Sequence, residues 1–484
     1  MTAQTPESVG LGPAIKRHGF AIFAAFFVAV FALGGGSRAD ILSVPVLRAL
    51  AAAWLVIALM CAPVDARRDA RWPLRGLALC AIIIALQLVP LPYALWSGLP
   101  GRAVVVESFA AAGLTQQPWM PLSLAPFAGW NSLLSLIVPA GALLCGAQLS
   151  RGHGVRQIGL LLAIICASAV LAIFQVIGPQ HGPFYLYRIT NADSAVGLFA
   201  NRNHQALLLA CGFPLIAAWV TLARGAEHRV RAIQWGGAIA AAALVPLIIV
   251  TGSRGGLILG AMGLVCAALL YRRPISDFHV RKAGMPIKQQ RLIGALVIAA
   301  IVGLTLFTAR TTAIDRIGQK TFSEEDRVQM VPTLLDMAAD TLPLGAGAGS
   351  FVPLFKIYEP DALLSPNYYN HAHNDALEIL IEFGVFGALF LVAIIGGWLV
   401  LGVRVVRAVR AQHRLAGAAP VEKGRARGHD SAAILGMAGM GITAMCLAGS
   451  VLDYPLRVPS IAALAALATL WMIRATRVAG HARG

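Results

Sequence analysis

The densest run of chemically capable side chains is Tyr368-Tyr369-Asn370-His371-Ala372-His373-Asn374-Asp375-Ala376-Leu377-Glu378, which leads directly into an apolar stretch. Asp375 and Glu378 stand at the spacing of a helix N-cap and its N3 partner. That spacing sets His373 just ahead of a helix start, where free N–H groups and partial positive charge favour a docked anion. An ordinary capped helix with polar residues at the lipid headgroups accounts for the same run. A His-x-His pair holds metal only with further ligands, and none is evident beside His371 and His373, so no metal is assigned.

Four further groups carry suitable chemistry. Thr251-Gly252-Ser253-Arg254-Gly255-Gly256 reads as a tight turn whose glycines admit close backbone approach. Arg254 within it suits either an anionic ligand or snorkelling to lipid phosphates. Asn201-Arg202-Asn203-His204 opens another apolar stretch. Asp453-Tyr454-Pro455-Leu456-Arg457 reads as a turn with a local ion pair. Arg327 falls on an expected amphipathic helix, where a plain surface charge is the alternative. Glu382 lies one turn deeper than Glu378, and an ionisable residue at that depth calls for a pairing partner or a wet cavity.

The elements that position these residues follow from composition. The chain has 484 residues, of which 58% are hydrophobic and 13% charged, with a mean hydropathy of +0.73. Soluble domains carry about 25% charged residues, so a soluble enzyme is excluded, and so is a disordered chain. The net charge of +17 does not indicate nucleic acid, because the basic residues form short clusters between apolar runs, as membrane topology requires. The seven cysteines lie in or beside apolar runs without Cys-x-x-Cys spacing, which indicates packing rather than disulfides or zinc.

A span needs about 20 apolar residues. Twelve are expected, at 20–36, 41–62, 76–96, 129–149, 157–178, 204–222, 232–250, 256–271, 292–309, 376–400, 431–449 and 458–473. The organisation is then a cytoplasmic N-terminus (1–19), nine spans (20–309), a periplasmic loop (310–373), three spans (374–473) and a cytoplasmic C-terminus (474–484). With both termini inside, 27 Lys and Arg residues fall on the inner side and 11 on the outer, with Arg48 inside the second span. Only His181, His204, His371 and His373 of the eleven histidines fall outside. Any chemistry is therefore expected on the outer face. In the long outer loop, Ser323 and Asp326 resemble a capping box, followed by an amphipathic helix from about 324 to 340 that ends before Pro343. The inner loop 401–430 reads as a basic, solvated connector. No internal repeat is visible, which argues against an inverted-repeat transporter.

His373-Asn374, nine residues, then Gly384-Val385-Phe386-Gly387 resembles the His-Asn-x9-Gly-x-x-Gly signature of the bacterial O-antigen ligase and polymerase family. Ser253-Arg254-Gly255-Gly256 is similar to the same family, as are Arg327, the Pro343–Gly349 stretch and a long outer loop ahead of the His-Asn motif. The resemblance covers about residues 195–400. Asp453-Tyr454-Pro455 additionally resembles relatives assigned to exopolysaccharide polymerisation. The resemblance implies an all-α polytopic membrane protein with the architecture of a lipid-donor (GT-C-like) glycosyltransferase, in the bacterial inner membrane. It implies transfer of a glycan from undecaprenyl pyrophosphate, at the periplasmic face, to lipid A–core or to another lipid-linked repeat. A protein O-oligosaccharyltransferase shares the architecture.

By matching position, His373 would be the catalytic histidine, and Arg254 and Arg327 would bind the donor pyrophosphate. Asn374, His371, Asn203, His204, Glu378 and Asp453 are secondary candidates. The residue types suit that chemistry. Arginine forks match phosphate oxygens and stay charged, and neutral histidine is a suitable proton acceptor. No Asp-x-Asp pair stands on the outer face, so the arginines would take the place of a metal, and no cofactor is expected. Tyr368 and Tyr369 suit stacking on sugars or anchoring at the lipid interface. Membrane lipids and a chain-length regulator are expected partners. The competing class is a transporter or flippase of lipid-linked sugar, which would carry charges near the bilayer midplane.

Overall fold

The computed structural model describes residues 11–61, 64–114, 119–192, 194–272, 324–361, 364, 369–416 and 423–481. The described chain is almost wholly helical. Its one ladder pairs Pro90–Leu91 antiparallel with Met120–Pro121, tying down the connection between the third and sixth helices. Eight of the described helices are long and apolar enough to cross a membrane, and two shorter apolar helices, His18–Leu33 and Arg254–Leu270, join them. The expected span at 292–309 and the cap residue Ser323 lie outside the described residues.

In chain order the helices are α1 (Leu11–Leu33), α2 (Ser43–Cys61), α3 (Val64–Gln87), α4 (Tyr93–Trp96), α5 (Ala103–Ala111), α6 (Pro126–Ser135), α7 (Ile137–Gln148) and α8 (Gly154–Ile177). They continue with α9 (Arg202–Thr221), α10 (Glu227–Val250), α11 (Arg254–Leu270), α12 (Glu324–Thr341), α13 (Phe351–Tyr358), α14 (Asp375–Ala416), α15 (Lys423–Leu452) and α16 (Pro459–His481). α9 is the axis of the bundle. It is apolar on every side and buried along nearly its whole length, as a helix without a polar face must be, and α8, α10, α11 and α15 pack around it. Its N-terminal residues therefore open in the middle of one end of the bundle rather than at its rim.

Two expectations need correction. The third span, expected at 76–96, ends as a helix at Gln87. The Gln87 side chain is held there, its Nε2 donating to the Glu382 carbonyl (3.0 Å) and its Oε1 accepting from the Ala348 N–H (2.9 Å), and Pro90 and Pro92 follow. The connector expected over 401–430 is largely helical, since α14 runs on to Ala416 and α15 begins at Lys423. By contrast α12 spans Glu324–Thr341 and stops ahead of Pro343, as its pattern predicts.

α14 is broken at Gly384, whose backbone (φ 58°, ψ −143°) is not helical. The break frees carbonyls in the preceding turn, and the Pro343–Gly349 segment takes them up. Ala346 N–H donates to Ile381 O (2.8 Å), Gly347 N–H to Glu382 O (2.9 Å), and Val385 N–H returns to Pro343 O (3.0 Å). A Cβ at Gly384 would stand 2.0 Å from the Pro343 oxygen, so only glycine fits. Buried Arg102 ties the α4–α6 connection to the same segment by donating to the carbonyls of Pro100, Leu122 and Gly345. A small core of Met330, Leu334, Met337, Phe351, Phe355 and Tyr369 fills the space beneath α12 and α13 and supports the strand of chain that carries His371 and His373.

Candidate active site

Five segments meet at one end of the bundle: the starts of α9, α11 and α14, the 369–374 segment, and the turn after α15. The three helix starts are each placed by a side-chain cap. Asn201 caps α9, its side-chain oxygen accepting from Asn203 N–H at 2.8 Å. Ser253 caps α11, its hydroxyl accepting from Gly256 N–H at 2.8 Å. Asn374 caps α14, accepting from the N–H groups of Ala376 (3.1 Å) and Leu377 (3.2 Å). Side-chain caps of this kind satisfy N–H groups that the helix itself leaves open.

The caps are linked to one another. Ser253 Oγ lies 2.7 Å from Asn203 Oδ1, and Asn203 Nδ2 donates to Asp453 Oδ2 at 2.6 Å. Asn201 Nδ2 donates to the same Asp453 oxygen at 3.2 Å. The other Asp453 oxygen lies 2.9 Å from His373 Nδ1. His373 sits in the left-handed backbone region (φ 51°), which non-glycine residues adopt rarely and which turns its ring back toward Asp453. Its side chain is 11% exposed and Asp453 is 6% exposed. Among the described residues, Nε2 of His373 takes no hydrogen bond. Arg254, the first residue of α11 and next to Ser253, has an exposed side chain.

A second, denser group lies against the first. His371 Nδ1 pairs with Glu378 Oε1 at 2.8 Å, and Glu378 also accepts from Ala372 N–H at 2.8 Å. Arg457 reaches three carboxylates: Asp375 (3.0 Å), Glu378 (3.1 Å) and Glu382 (3.5 Å). Burial works against its charge, but Glu378, Glu382 and Asp375 outweigh burial and raise its pKa, so it stays charged. Tyr454 joins the two groups. Its ring centre lies 4.0 Å from that of His371, 5.2 Å from His373 and 5.3 Å from His204, and its hydroxyl accepts from Asn370 Nδ2 at 3.2 Å. His204 is buried, with Nε2 4.0 Å from Asp453 Oδ2.

His373, Asn374, His371, Asn203, His204, Glu378 and Asp453 are thus brought into one constellation, with Arg254 one residue from it. Arg327 is on α12, and its side chain lies outside the described residues, as does Tyr368. The paired spacing of Asp375 and Glu378 does not form the cap. Asn374 does that one residue earlier, because Arg457 and His371 claim both carboxylates. Arg457 likewise does not pair with Asp453 within its own turn. It turns to α14, supplying the partner that the depth of Glu382 called for. Ser253, Asn201 and Tyr454 stood inside recognised clusters without a role of their own. Only the folding of their segments against each other reveals one.

The family model for O-antigen ligases matches residues 238–392. That third of the chain is similar to the O-antigen ligase family. No curated protein matches it. The matched region runs from within α10 through α11, α12 and α13 to the broken first half of α14, so it holds Arg254, Arg327 and His373. Asn201, Asn203, Asp453, Tyr454 and Arg457 lie outside it and reach the site from α9 and the α15–α16 turn. The chain is thus a mostly helical protein with helices long and apolar enough to cross a membrane several times, and it carries an O-antigen ligase-like region whose polar cluster is completed by helices on both sides of it.

Proposed function

We propose that the chain is a glycosyltransferase of the bacterial inner membrane that takes a glycan from undecaprenyl pyrophosphate at the periplasmic face and joins it to an acceptor hydroxyl. The observation that carries this reading is the continuous path of hydrogen bonds from the Arg254 turn through Asn203 and Asp453 to His373. It sets an anion-binding residue type beside an imidazole with an open nitrogen. In this reading His373 Nε2 accepts the acceptor's proton as its oxygen bonds to the anomeric carbon. The bond from that carbon to the pyrophosphate oxygen breaks, and the pyrophosphate leaves on its lipid. Arg254 and Arg327 receive the charge that grows on it, an effect worth about 10²–10³ in rate per donor. The arginines perform this without a metal. His371 lies in a different carboxylate pair and has no part in the proton transfer.

Polymerisation of a lipid-linked repeat is favoured over ligation to lipid A–core, because Asp453-Tyr454-Pro455, the segment that resembles relatives assigned to exopolysaccharide polymerisation, supplies the partner of His373. A chain-length regulator then becomes a partner. The transporter reading is disfavoured because the ionised groups gather at the two ends of the bundle. Turnover of lipid-linked glycan extracted from the producing cells, measured in membranes and normalised to folded protein, tests the assignment. His373→Ala should lose about 10²–10⁴-fold, with His371→Ala losing less. A well-folded His373→Ala protein with the wild-type rate would end it.

A further inference from the structure

We propose that the caps of two helices, Asn201 on α9 and Ser253 on α11, act together with Asn203 to fix the tautomer of His373, holding its proton on Nδ1 and leaving Nε2 as the acceptor. The proposal rests on the reading of His373 as the base.

Two groups beside the site have fixed hydrogen-bonding roles, since a backbone N–H can only donate. Asn203 N–H donates to the side chain of Asn201, so the atom it meets is the amide oxygen, and Asn201 Nδ2 is left to face Asp453 Oδ2. Ser253 Oγ accepts from Gly256 N–H and donates to Asn203, 2.7 Å away. That makes the receiving atom Asn203 Oδ1 and turns its Nδ2 toward Asp453 Oδ2, 2.6 Å away. The turned-over amide would set its oxygen against a carboxylate oxygen at that distance, which only a proton on Asp453 could relieve. Asp453 therefore accepts from both amides through Oδ2, and through Oδ1 from His373 Nδ1.

Side chains held by the caps of two helices, 52 residues apart in sequence, thus converge on one carboxylate oxygen and leave the other to the imidazole. The charged and titratable groups around it are consistent with this arrangement. His204 approaches Asp453 Oδ2 at 4.0 Å from α9, Tyr454 presents its ring to His373, and His371 is engaged by Glu378, which Arg457 holds together with Asp375. Arg254 follows Ser253 directly, so the turn proposed to hold the donor and the base proposed to serve the acceptor hang on one set of bonds. Asn201, Asn203 and Ser253 are positioning residues. They act through Asp453 and need not touch substrate.

The test uses the full chain in membranes, with lipid-linked glycan extracted from the producing cells and rates normalised to folded protein by fluorescence-detected gel filtration. Asn203→Asp keeps the shape and reverses the polarity facing Asp453. It should lower kcat about 10–100-fold, the scale on which outer hydrogen-bond partners of an oriented imidazole act at metal sites, with donor KM unchanged. Asn203→Ala should follow it in direction, and Ser253→Thr should recover most of what Ser253→Ala loses, because the hydroxyl returns. A wild-type kcat in Asn203→Asp, or a loss confined to donor KM, overturns the proposal. His373→Ala in the same series separates the two levels. If it is inactive while Asn203→Asp is normal, the base stands and the tautomer proposal falls. If His373→Ala itself turns over normally, both fall.

Discussion

Both ends of the bundle bury ionised side chains, and the two groups are built differently. At one end Asp69 of α3 accepts from Arg474 Nε of α16 at 2.9 Å and from Arg477. The same guanidinium groups also donate to the carbonyls of Ala147 and Arg68. Trp471 Nε1, one turn before Arg474, is taken by Gln157 of α8 at 2.9 Å. This group is a fastening between α3, α7, α8 and α16. At the other end, about 22 Å away along α16 at 1.5 Å per residue, three carboxylates share Arg457 and a fourth holds His373. There one imidazole nitrogen takes no hydrogen bond among the described residues, on a side chain that is 11% exposed. A closed network of charges orders helices, whereas the other group leaves an imidazole nitrogen outside its hydrogen bonds with an exposed arginine close by, as the proposed reaction requires.

The comparison breaks hardest at Arg457. Arg457→Leu leaves Asp375, Glu378 and Glu382 facing one another, and removing one partner of a buried ion group costs about 3–5 kcal/mol. A marked fall in the melting temperature of purified protein in detergent should follow. An unchanged melting temperature would show that these carboxylates do not depend on Arg457. Arg254→Lys keeps the charge but not the planar fork, so turnover should fall about 10²-fold with folded protein undiminished, and Arg327→Lys should act in the same direction. Normal turnover in both variants would make a bidentate phosphate role untenable.

Asp69→Asn should have a smaller effect and of the other kind. It retains an acceptor for Arg474, so a loss of about 1.5–3 kcal/mol in stability is expected, with turnover per folded molecule unchanged. A variant stable but slow would mean that the fastening end also serves the chemistry. The orientation of the two ends is tested without any change in activity. Cysteines placed at Ser365 and Ala418 are exposed to an impermeant thiol reagent in intact cells. Labelling at 365 alone is expected, and labelling at 418 alone would invert the molecule.

Much of the site's membership could be read from residue types and spacing, and little of its wiring. His373, Asn203 and Asp453 each belong to a short polar run at the edge of an apolar stretch, and such runs are visible without a fold. Which carboxylate serves which cation was not visible. The Asp375–Glu378 spacing and the Asp453–Arg457 proximity both suggested local pairings, and both yielded to partners from other helices. A guanidinium meeting three buried carboxylates outweighs a single contact within one turn. The same holds for Gly384 and the Pro343–Gly349 glycines. Their spacing marks a motif, but it gives no hint that one segment's N–H groups fill the carbonyls opened by the other's break.

What this sequence determined by itself are the properties that depend on near neighbours. Apolar run length specifies helices that can cross a membrane, the distribution of Lys and Arg points to an orientation, and the end of α12 before Pro343 follows from local chemistry. What only the tertiary structure decided is who meets whom. His373 and Asp453 are 80 residues apart, and Asn203 and Asp453 are 250 apart. Contacts at such separations depend on the side-by-side order of the helices around α9. That order is set by the packing of whole helix faces, which no short stretch of sequence contains.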